Sequence, residues 1–128
     1  MSRRPVRVLC LDQEGGHGGA SRSLYSVLSN MDRNRIAPEV WCRRGGKIES
    51  MYRAISVPCR VEAGLPALSS QPRTLDNLVE YARFFRRFRG ARLALADLGR
   101  EIEARFDVVH FNHEGFWWLA RWLRRRVV

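Results

Sequence analysis

The chain has 128 residues, of which 45% are hydrophobic and 28% are charged, a composition typical of a globular domain and not of a disordered segment. Its apolar runs are shorter than the ~20 residues of a membrane-spanning helix, and the apolar run after the basic N-terminus is too short for a signal peptide. We therefore expect residues 1–128 to form one soluble, cytoplasmic domain. The net charge of +10 also allows peripheral attachment to the inner face of a membrane.

The first predicted elements are a strand, a glycine-rich loop and a helix. The strand Val6–Leu11 is short, apolar and β-branched, and the helix Ala20–Asn30 carries apolar residues at helical spacing. Between them, four glycines occur within five positions, which is more than a tight turn requires. They are Gly15, Gly16, Gly18 and Gly19. This order of elements is typical of α/β proteins that bring backbone N–H groups close to a phosphate or a sugar.

Two other interpretations of the glycine loop stay open. The dinucleotide fingerprint G-x-G-x-x-G is met at Gly16 and Gly18, but Ser21 occupies its third glycine position. Residues 42–44 are a cysteine and two arginines, where an acidic residue would be expected to follow the second strand. An NADP-binding reductase fragment is therefore ranked last, and a merely flexible connection is the structural alternative. The Gly-Lys-Ser/Thr pattern of nucleotide triphosphatases is absent.

The middle of the chain predicts two more strands, Glu39–Arg43 and Val57–Val61, with a short helix over Ile48–Ile55 between them. An extended loop follows over Glu62–Arg73. Three cysteines lie within apolar, strand-like runs, and they lack the close spacing of a metal site. They are Cys10, Cys42 and Cys59. An odd number argues against a complete disulfide framework, so we interpret them as small buried apolar side chains.

A long helical region follows, with Thr74 as a candidate N-cap and Asp76 in its first turn. Gly90 either ends this helix or only weakens it. The predicted apolar stripe comprises Leu75, Leu78, Val79, Ala82, Phe85 and Phe88, and it continues at Leu95, Leu98, Ile102 and Phe106. Arginines cluster in this region and again near the C-terminus: Arg83, Arg86, Arg87, Arg89 and Arg92, then Arg121, Arg124, Arg125 and Arg126. Such surfaces bind nucleic acid, anionic lipid or phosphorylated substrates, or are simply solvated.

The fourth predicted strand, Asp107–Phe111, ends in a polar group: His110, Asn112, His113 and Glu114. Ligands of open parallel sheets bind beyond the carboxyl ends of the strands, and a histidine there can donate to a phosphate or a hydroxyl near neutral pH. His110 and His113 are therefore candidate catalytic residues, with a hydrogen-bonded structural histidine as an equal alternative. A zinc site is a poor fit because these residues are nearly contiguous and no cysteine completes a tetrahedral set.

Strands that alternate with helices predict an α/β fold, a Rossmann-like parallel sheet of four to five strands flanked by helices. Crossover connections can bring the first and fourth strands together, so the glycine loop and the histidines would share one edge of the sheet. A last helix is expected from about Gly115. Val127-Val128 has the character of a fifth strand, and we therefore expect the sheet to be incomplete at the C-terminus.

Three segments, in this order, resemble the N-terminal domain of family 4 glycosyltransferases, which have the GT-B fold. The first is the strand followed by Gly-Gly-x-Gly-Gly-Ala-Ser-Arg over residues 15–22. The second is Glu-Val-Trp-Cys over residues 39–42, followed by Gly45-Gly46. The third is Asp-Val-Val-His-Phe-Asn over residues 107–112.

This resemblance implies a retaining transfer of a sugar from a nucleotide-sugar donor to a sugar or lipid-linked acceptor, with no metal and no other cofactor. It implies that His110 or His113 provides the key histidine of the family. The residues that bind substrate or phosphate in the cleft, near the donor phosphate and the acceptor, would be Gly15, Gly16, Gly18, Gly19, Ser21, Arg22, Asn112 and Glu114. The donor-binding C-terminal domain of the family has no counterpart here, so we expect this chain to be inactive by itself or to need a partner chain.

The runner-up function is a basic binding module for an anionic membrane or for nucleic acid, with nucleic acid the less favoured partner. Its support is the net charge and the pair of arginine clusters. Tryptophans at positions 117, 118 and 122 accompany the second cluster, where they could stack on bases or lie at a lipid interface.

Overall fold

The computed structural model describes residues 4–13, 18–65, 75–90, 92–120 and 123. Strands and helices alternate along it, apart from two successive helices before the fourth strand. A short 3₁₀ turn, Glu114–Phe116, precedes the last helix. In chain order the elements are β1 (Val6–Asp12), α1 (Gly19–Ser29), β2 (Ile36–Cys42), α2 (Lys47–Ala54), β3 (Cys59–Val61), α3 (Leu75–Gly90), α4 (Arg92–Arg105), β4 (Val108–Phe111) and α5 (Trp117–Ala120).

The four strands form one parallel sheet in the order β3-β2-β1-β4. This confirms the predicted α/β fold with a parallel sheet flanked by helices. β1 lies between β2 and β4, with Asp12 opposite Cys42 on one side and Leu11 opposite Phe111 on the other. The two strand ends that the sequence analysis singled out are therefore direct neighbours.

Each face of the sheet has its own buried cluster, because successive side chains of a strand point to opposite faces. Leu9 and Leu11 of β1 belong to the α4 core, together with Trp41, Leu65, Leu95, Leu98, Ile102, Val109, Phe116, Leu119 and Leu123. Cys10 belongs to the α1 core, together with Leu24, Leu28, Val40, Cys42, Ile48, Tyr52 and Val57. Both faces are thus covered, as expected of a parallel sheet.

The strand boundaries differ from the prediction at several ends. β1 extends one residue further, to Asp12, and β2 begins at Ile36. β3 covers only Cys59–Val61, because Val57 closes the turn after α2 by donating its N–H to the Tyr52 carbonyl at 2.9 Å. Pro58, the next residue, has no N–H to donate to a ladder.

The predicted apolar stripe of the long helical region is wrong for most of its described positions in α3. Leu78, Val79 and Phe85 are exposed, whereas Phe84 is buried and Phe88 is half-buried. Phe88 packs against the α4 core, so this helix is anchored along a narrow line and presents much of its apolar surface outward. α3 ends at Gly90 and α4 begins at Arg92, so the region consists of two helices.

Several predicted features lie outside the described residues. They are the N-cap at Thr74, the strand at Val127-Val128, and the second arginine cluster at residues 121 and 124–126. None of the described helices is long and apolar enough to cross a membrane.

Candidate functional site

The candidate site lies at the carboxyl edge of the sheet, where β1 and β4 end side by side. Asn112 follows β4 directly, and its N–H donates to the Leu11 carbonyl at 3.0 Å. Its side-chain amide reaches the Asp12 carboxylate, with Nδ2 lying 3.4 Å from Oδ1. The structure therefore brings the predicted residue Asn112 to the end of β1. This position is expected because Asn112 directly follows β4, which is parallel to β1 and pairs with it.

Asp12 is the centre of this edge, and sequence reasoning missed it. Its side chain is buried, with 2% of the residue exposed, and it accepts a hydrogen bond from the Tyr52 hydroxyl at 3.3 Å. The Tyr52 hydroxyl also lies 3.3 Å from the Ser21 carbonyl. Asp12 thus connects β1 to α2 and β4. An acidic residue between an apolar strand and a glycine loop was the signal that could have found it.

Burial and the nearby negative charge of Asp12 keep Tyr52 in its neutral form. Burial is the main cause that raises the pKa of the Tyr52 hydroxyl above its usual value, and Asp12 raises it further. A protonated tyrosine donates to the carboxylate near neutral pH. The Tyr52 hydroxyl is therefore the donor in the contact between α2 and the end of β1.

The glycine loop leads into α1 without any side-chain cap. Gly18 is the N-cap residue, with an extended backbone (φ −83°, ψ 155°), and the first turn contains no acidic residue. A Cβ atom added at Gly19 would meet no described atom within 4 Å. No side chain of the described residues caps the N–H groups of the first turn, which lie at the positive end of the helix dipole, where an anion is favoured. Gly15 and Gly16 lie outside the described residues.

Ser21 and Arg22 lie in the first turn of α1 and point to different surroundings. Ser21 is buried, with 1% exposed, and its carbonyl lies beside Tyr52. Arg22 is exposed. Ser21 therefore contributes to the packing between α1 and α2, whereas the Arg22 side chain is accessible from solvent.

The two candidate histidines occupy different positions. His110 is the third residue of β4, half-buried and opposite Cys10. His113 lies beyond the strand, where its Nδ1 accepts a hydrogen bond from the Gly115 N–H at 2.9 Å. Its ring also meets Phe116 edge-on, at 6.4 Å between centroids. In the neutral form the Nε2 of His113 then carries the proton. The Glu114 side chain is not described.

The three cysteines are free thiols. Burial, followed by the charge of Asp12, raises the pKa of Cys10 to about 12, so this thiol stays protonated and apolar in character. The sulfurs of Cys42 and Cys59 lie 3.6 Å apart, and Cys59 is half-buried. Among the residues that the structure describes, no group of three or more His, Cys, Asp or Glu side chains is placed to hold a metal ion.

Comparisons with known proteins give a likeness in structure alone. No family model matches the sequence, and no curated protein matches it. A crystal structure of Anabaena Alr3699/HepE with UDP and glucose has a TM-score of 0.58 and 19% identity, and the match covers 95% of this chain and 28% of that one. The HepE complex with UDP-glucose has a TM-score of 0.57 and 19% identity, over 94% and 28% of the two chains.

At 19% identity the likeness shows the fold. It supports an α/β fold with a parallel sheet flanked by helices, and it does not show the family of this chain. The chain spans about 28% of the length of the HepE chain that it matches.

Proposed function

We propose that this chain is the acceptor-side, N-terminal part of a glycosyltransferase that uses a nucleotide-sugar donor. The observation that carries the proposal is the open N-terminus of α1, which begins at Gly19 after the β1 strand end at Asp12. Asn112, from the neighbouring strand end, contacts Asp12. The structures of HepE hold UDP, glucose or UDP-glucose, which are a nucleotide-sugar and its two parts. The fold that HepE shares with this chain therefore supports a nucleotide-sugar as the ligand class that we propose for this chain.

The chemistry of this edge fits a transfer that releases a nucleoside diphosphate. The N–H groups of the first turn of α1 would stabilise negative charge on the leaving phosphate, since fixed dipoles aimed at developing charge lower the barrier to transfer. Nδ2 of Asn112 is engaged by Asp12, which leaves its Oδ1 to accept from a sugar hydroxyl. The Nε2–H of His113 is a donor for the same purpose.

The finer features of the proposal rest on the resemblance to family 4. They are retention of configuration at the anomeric carbon and a donor-binding site in a second domain or a partner chain. The isolated chain should then bind UDP weakly, with a dissociation constant on the order of 1 mM, and should not transfer sugar.

Titration of the ¹⁵N-labelled chain with UDP tests the proposal. We expect amide shifts at Gly18, Gly19 and Arg22, and their loss in Gly19→Leu, whose side chain would fill the open space before α1. Gly90→Leu is the matched control, because a Cβ there also meets no described atom within 4 Å. UDP shifts that persist in Gly19→Leu, or their absence in the wild type, would contradict the proposal. Sugar transfer by the isolated chain would contradict its inactivity.

A second candidate, attachment to an anionic membrane surface, is favoured by the outer surface of α3. Leu78, Val79 and Tyr81 are 66%, 52% and 44% exposed, and the exposed Arg83 and Arg86 follow on the same helix. An amphipathic helix that combines apolar and cationic side chains binds at the interface of anionic bilayers. We propose such a bilayer as the occupant of this surface because its charge is complementary to that of the arginines.

Sedimentation with vesicles tests this candidate. The wild-type chain should bind phosphatidylglycerol vesicles more strongly than phosphatidylcholine vesicles, and Leu78→Ser/Tyr81→Ser should weaken that binding. Val27→Ser is the control, since Val27 is an exposed apolar residue (57%) on α1. Equal vesicle binding by all variants would reject a membrane as the occupant of this surface. A concentration-dependent dimer that is lost in the double variant would also reject it and would indicate that another copy of the chain binds there.

A further inference from the structure

The arginines that the structure describes differ in whether a carboxylate contacts them. Among the described residues, six arginines contact carboxylates: Arg4, Arg7, Arg53, Arg60, Arg100 and Arg105. In the described part of the chain, no carboxylate contacts Arg43, Arg44 or Arg87. The absence of a partner matters because Arg43 is half-buried, and a partly desolvated cation without a counter-charge is unfavourable.

Arg43 lies directly at the carboxyl edge of the sheet. It follows Cys42, the partner of Asp12 in the parallel register, and its N–H continues the ladder by donating to the Asp12 carbonyl at 2.9 Å. Gln13, which follows Asp12, is therefore the neighbour of Arg43 across the two strands. The backbone position of Arg43 is thus held by the sheet itself.

Arg87 reaches the same region from α3. The next residue, Phe88, packs against the α4 core, which contains Leu11 and Trp41, the residues just inside this edge. The positive charges of Arg44 and Arg87, together with burial as the largest cause, lower the pKa of Arg43. Arg43 is therefore close enough to Arg44 and to Arg87 to be repelled by both charges, and an anion beside Arg43 would relieve that repulsion.

An orphaned acceptor accompanies these donors. The Oε1 atom of Gln13 is buried and accepts no hydrogen bond from the described residues. A buried amide oxygen without a donor is uncommon in folded proteins. A ligand that carries a hydroxyl next to its anionic group would satisfy this atom while its charge meets the arginines.

We propose that Arg43, Arg44 and Arg87 form a binding site for a phosphate or carboxylate group carried by the sugar acceptor. The inference rests on the proposed function and names the acceptor as an anionic molecule. Guanidinium groups suit this ligand, since their planar donors bind phosphate and carboxylate oxygens in pairs. The arginines of this site come from the ends of β2 and α3, whereas the proposed donor site uses the N-terminus of α1.

Calorimetric titration of the full chain with inorganic phosphate tests the site. Saturating UDP is added to occupy the N-terminus of α1, so that the binding of phosphate does not report on that site. We expect Arg43→Gln/Arg87→Gln to weaken phosphate binding at least tenfold. Arg43→Lys keeps the positive charge but loses the planar pair of donors, and it should weaken phosphate binding less. Arg35→Gln is the matched control, since Arg35 is an exposed arginine that precedes β2 at the opposite edge. Thermal melting verifies that each variant is folded.

Three outcomes would overturn the site: no saturable phosphate binding, equal binding by wild type and double variant, or an equal loss in Arg35→Gln. The last would mean that only the overall charge matters. If UDP fails to bind but the phosphate result depends on Arg43 and Arg87, the proposed donor site fails and the anion site stands.

Two further ligands distinguish the source of the anionic group. Displacement of phosphate by glucose 1-phosphate, dependent on Arg43, indicates a soluble phosphorylated sugar. Binding of phosphatidylglycerol vesicles with the same dependence, and no effect of glucose 1-phosphate, indicates a lipid headgroup. Phosphate binding with neither response would overturn the assignment of the site to an acceptor.

Discussion

The charged side chains at the two edges of the sheet have different kinds of hydrogen-bond partner. At the amino edge, the Asp107 carboxylate accepts hydrogen bonds from the Arg4 side chain at 2.8 and 3.0 Å and from the Arg7 N–H at 2.9 Å. At the carboxyl edge, the donors to the Asp12 side chain among the described residues are the neutral groups of Tyr52 and Asn112. Arg43 lies beside it without a carboxylate partner among the described residues.

This contrast separates residues that stabilise the fold from residues that we assign to the proposed anion site. A buried or half-buried charge lowers stability unless it is paired, so the fold of the carboxyl edge does not maximise its own stability. Such local conflicts concentrate at functional sites. The amino edge and the outer surface of the α4 core, where Arg60 and Arg105 meet Glu62, Glu101 and Glu39, show the paired arrangement.

Trp41→Ala should cause the largest loss of stability, in the region where the charged side chains are paired. The ring is fully buried, the Arg60 guanidinium lies 4.1 Å above it, and its Nε1 donates to Glu39 at 2.7 Å. Loss of a buried tryptophan leaves a cavity and removes the surface on which these charges are arranged, so urea unfolding should show a loss of about 3–5 kcal/mol. Trp41→Phe is the control and should lose less. A loss below about 1 kcal/mol would contradict the central place of this ring.

Asp107→Asn should have the next largest effect and should change the pH profile. Arg4 and Arg7 hold the pKa of the Asp107 carboxyl far below its usual range, mainly through side-chain hydrogen bonds. The folded pKa is lowered, so the stabilising contribution is complete above the unfolded pKa of about 4 and is lost as the pH falls below it. The variant should therefore have a lower urea midpoint at pH 7 and a flatter decline below pH 4.

Asp97→Asn is the control for this prediction. Asp97 pairs with Arg100 on the surface, where the two side chains are 70% and 74% exposed. An exposed pair contributes little, so this variant should resemble the wild type. Equal pH profiles for Asp107→Asn and the wild type would refute the role assigned to the amino edge.

Arg43→Gln should change the free energy of unfolding least, and in the opposite direction to Arg7→Gln. Removal of Arg43 relieves its repulsion by Arg44 and Arg87, whereas removal of Arg7 takes a donor from Asp107. In phosphate-free, low-salt buffer we expect unfolding free energies to rise by up to about 0.5 kcal/mol for Arg43→Gln and to fall for Arg7→Gln. High salt should shrink both differences. A clear loss of stability in Arg43→Gln would show that Arg43 has a structural role.

Much of the fold was predictable because its signals are local. The apolar, β-branched runs at Val6–Asp12 and Val108–Phe111 and the glycines before α1 indicate strands and a loop without knowledge of any distant contact. Asn112 was found in the same way, as a polar residue directly after a strand. The outward surface of α3 was not predictable, since helical spacing marks apolar residues but not how many of them a neighbouring layer will cover.

The sequence by itself determined the order of strands and helices, the parallel sheet and the position of Asn112 beside the end of β1. Only the tertiary structure decided which charges are neutralised. Arg4 meets a carboxylate 103 positions away, while Arg43 and Arg87 approach each other from different elements without one. Periodicity is a property of neighbouring residues, whereas electrostatic pairing depends on which segments the folded chain brings within a few ångströms of each other.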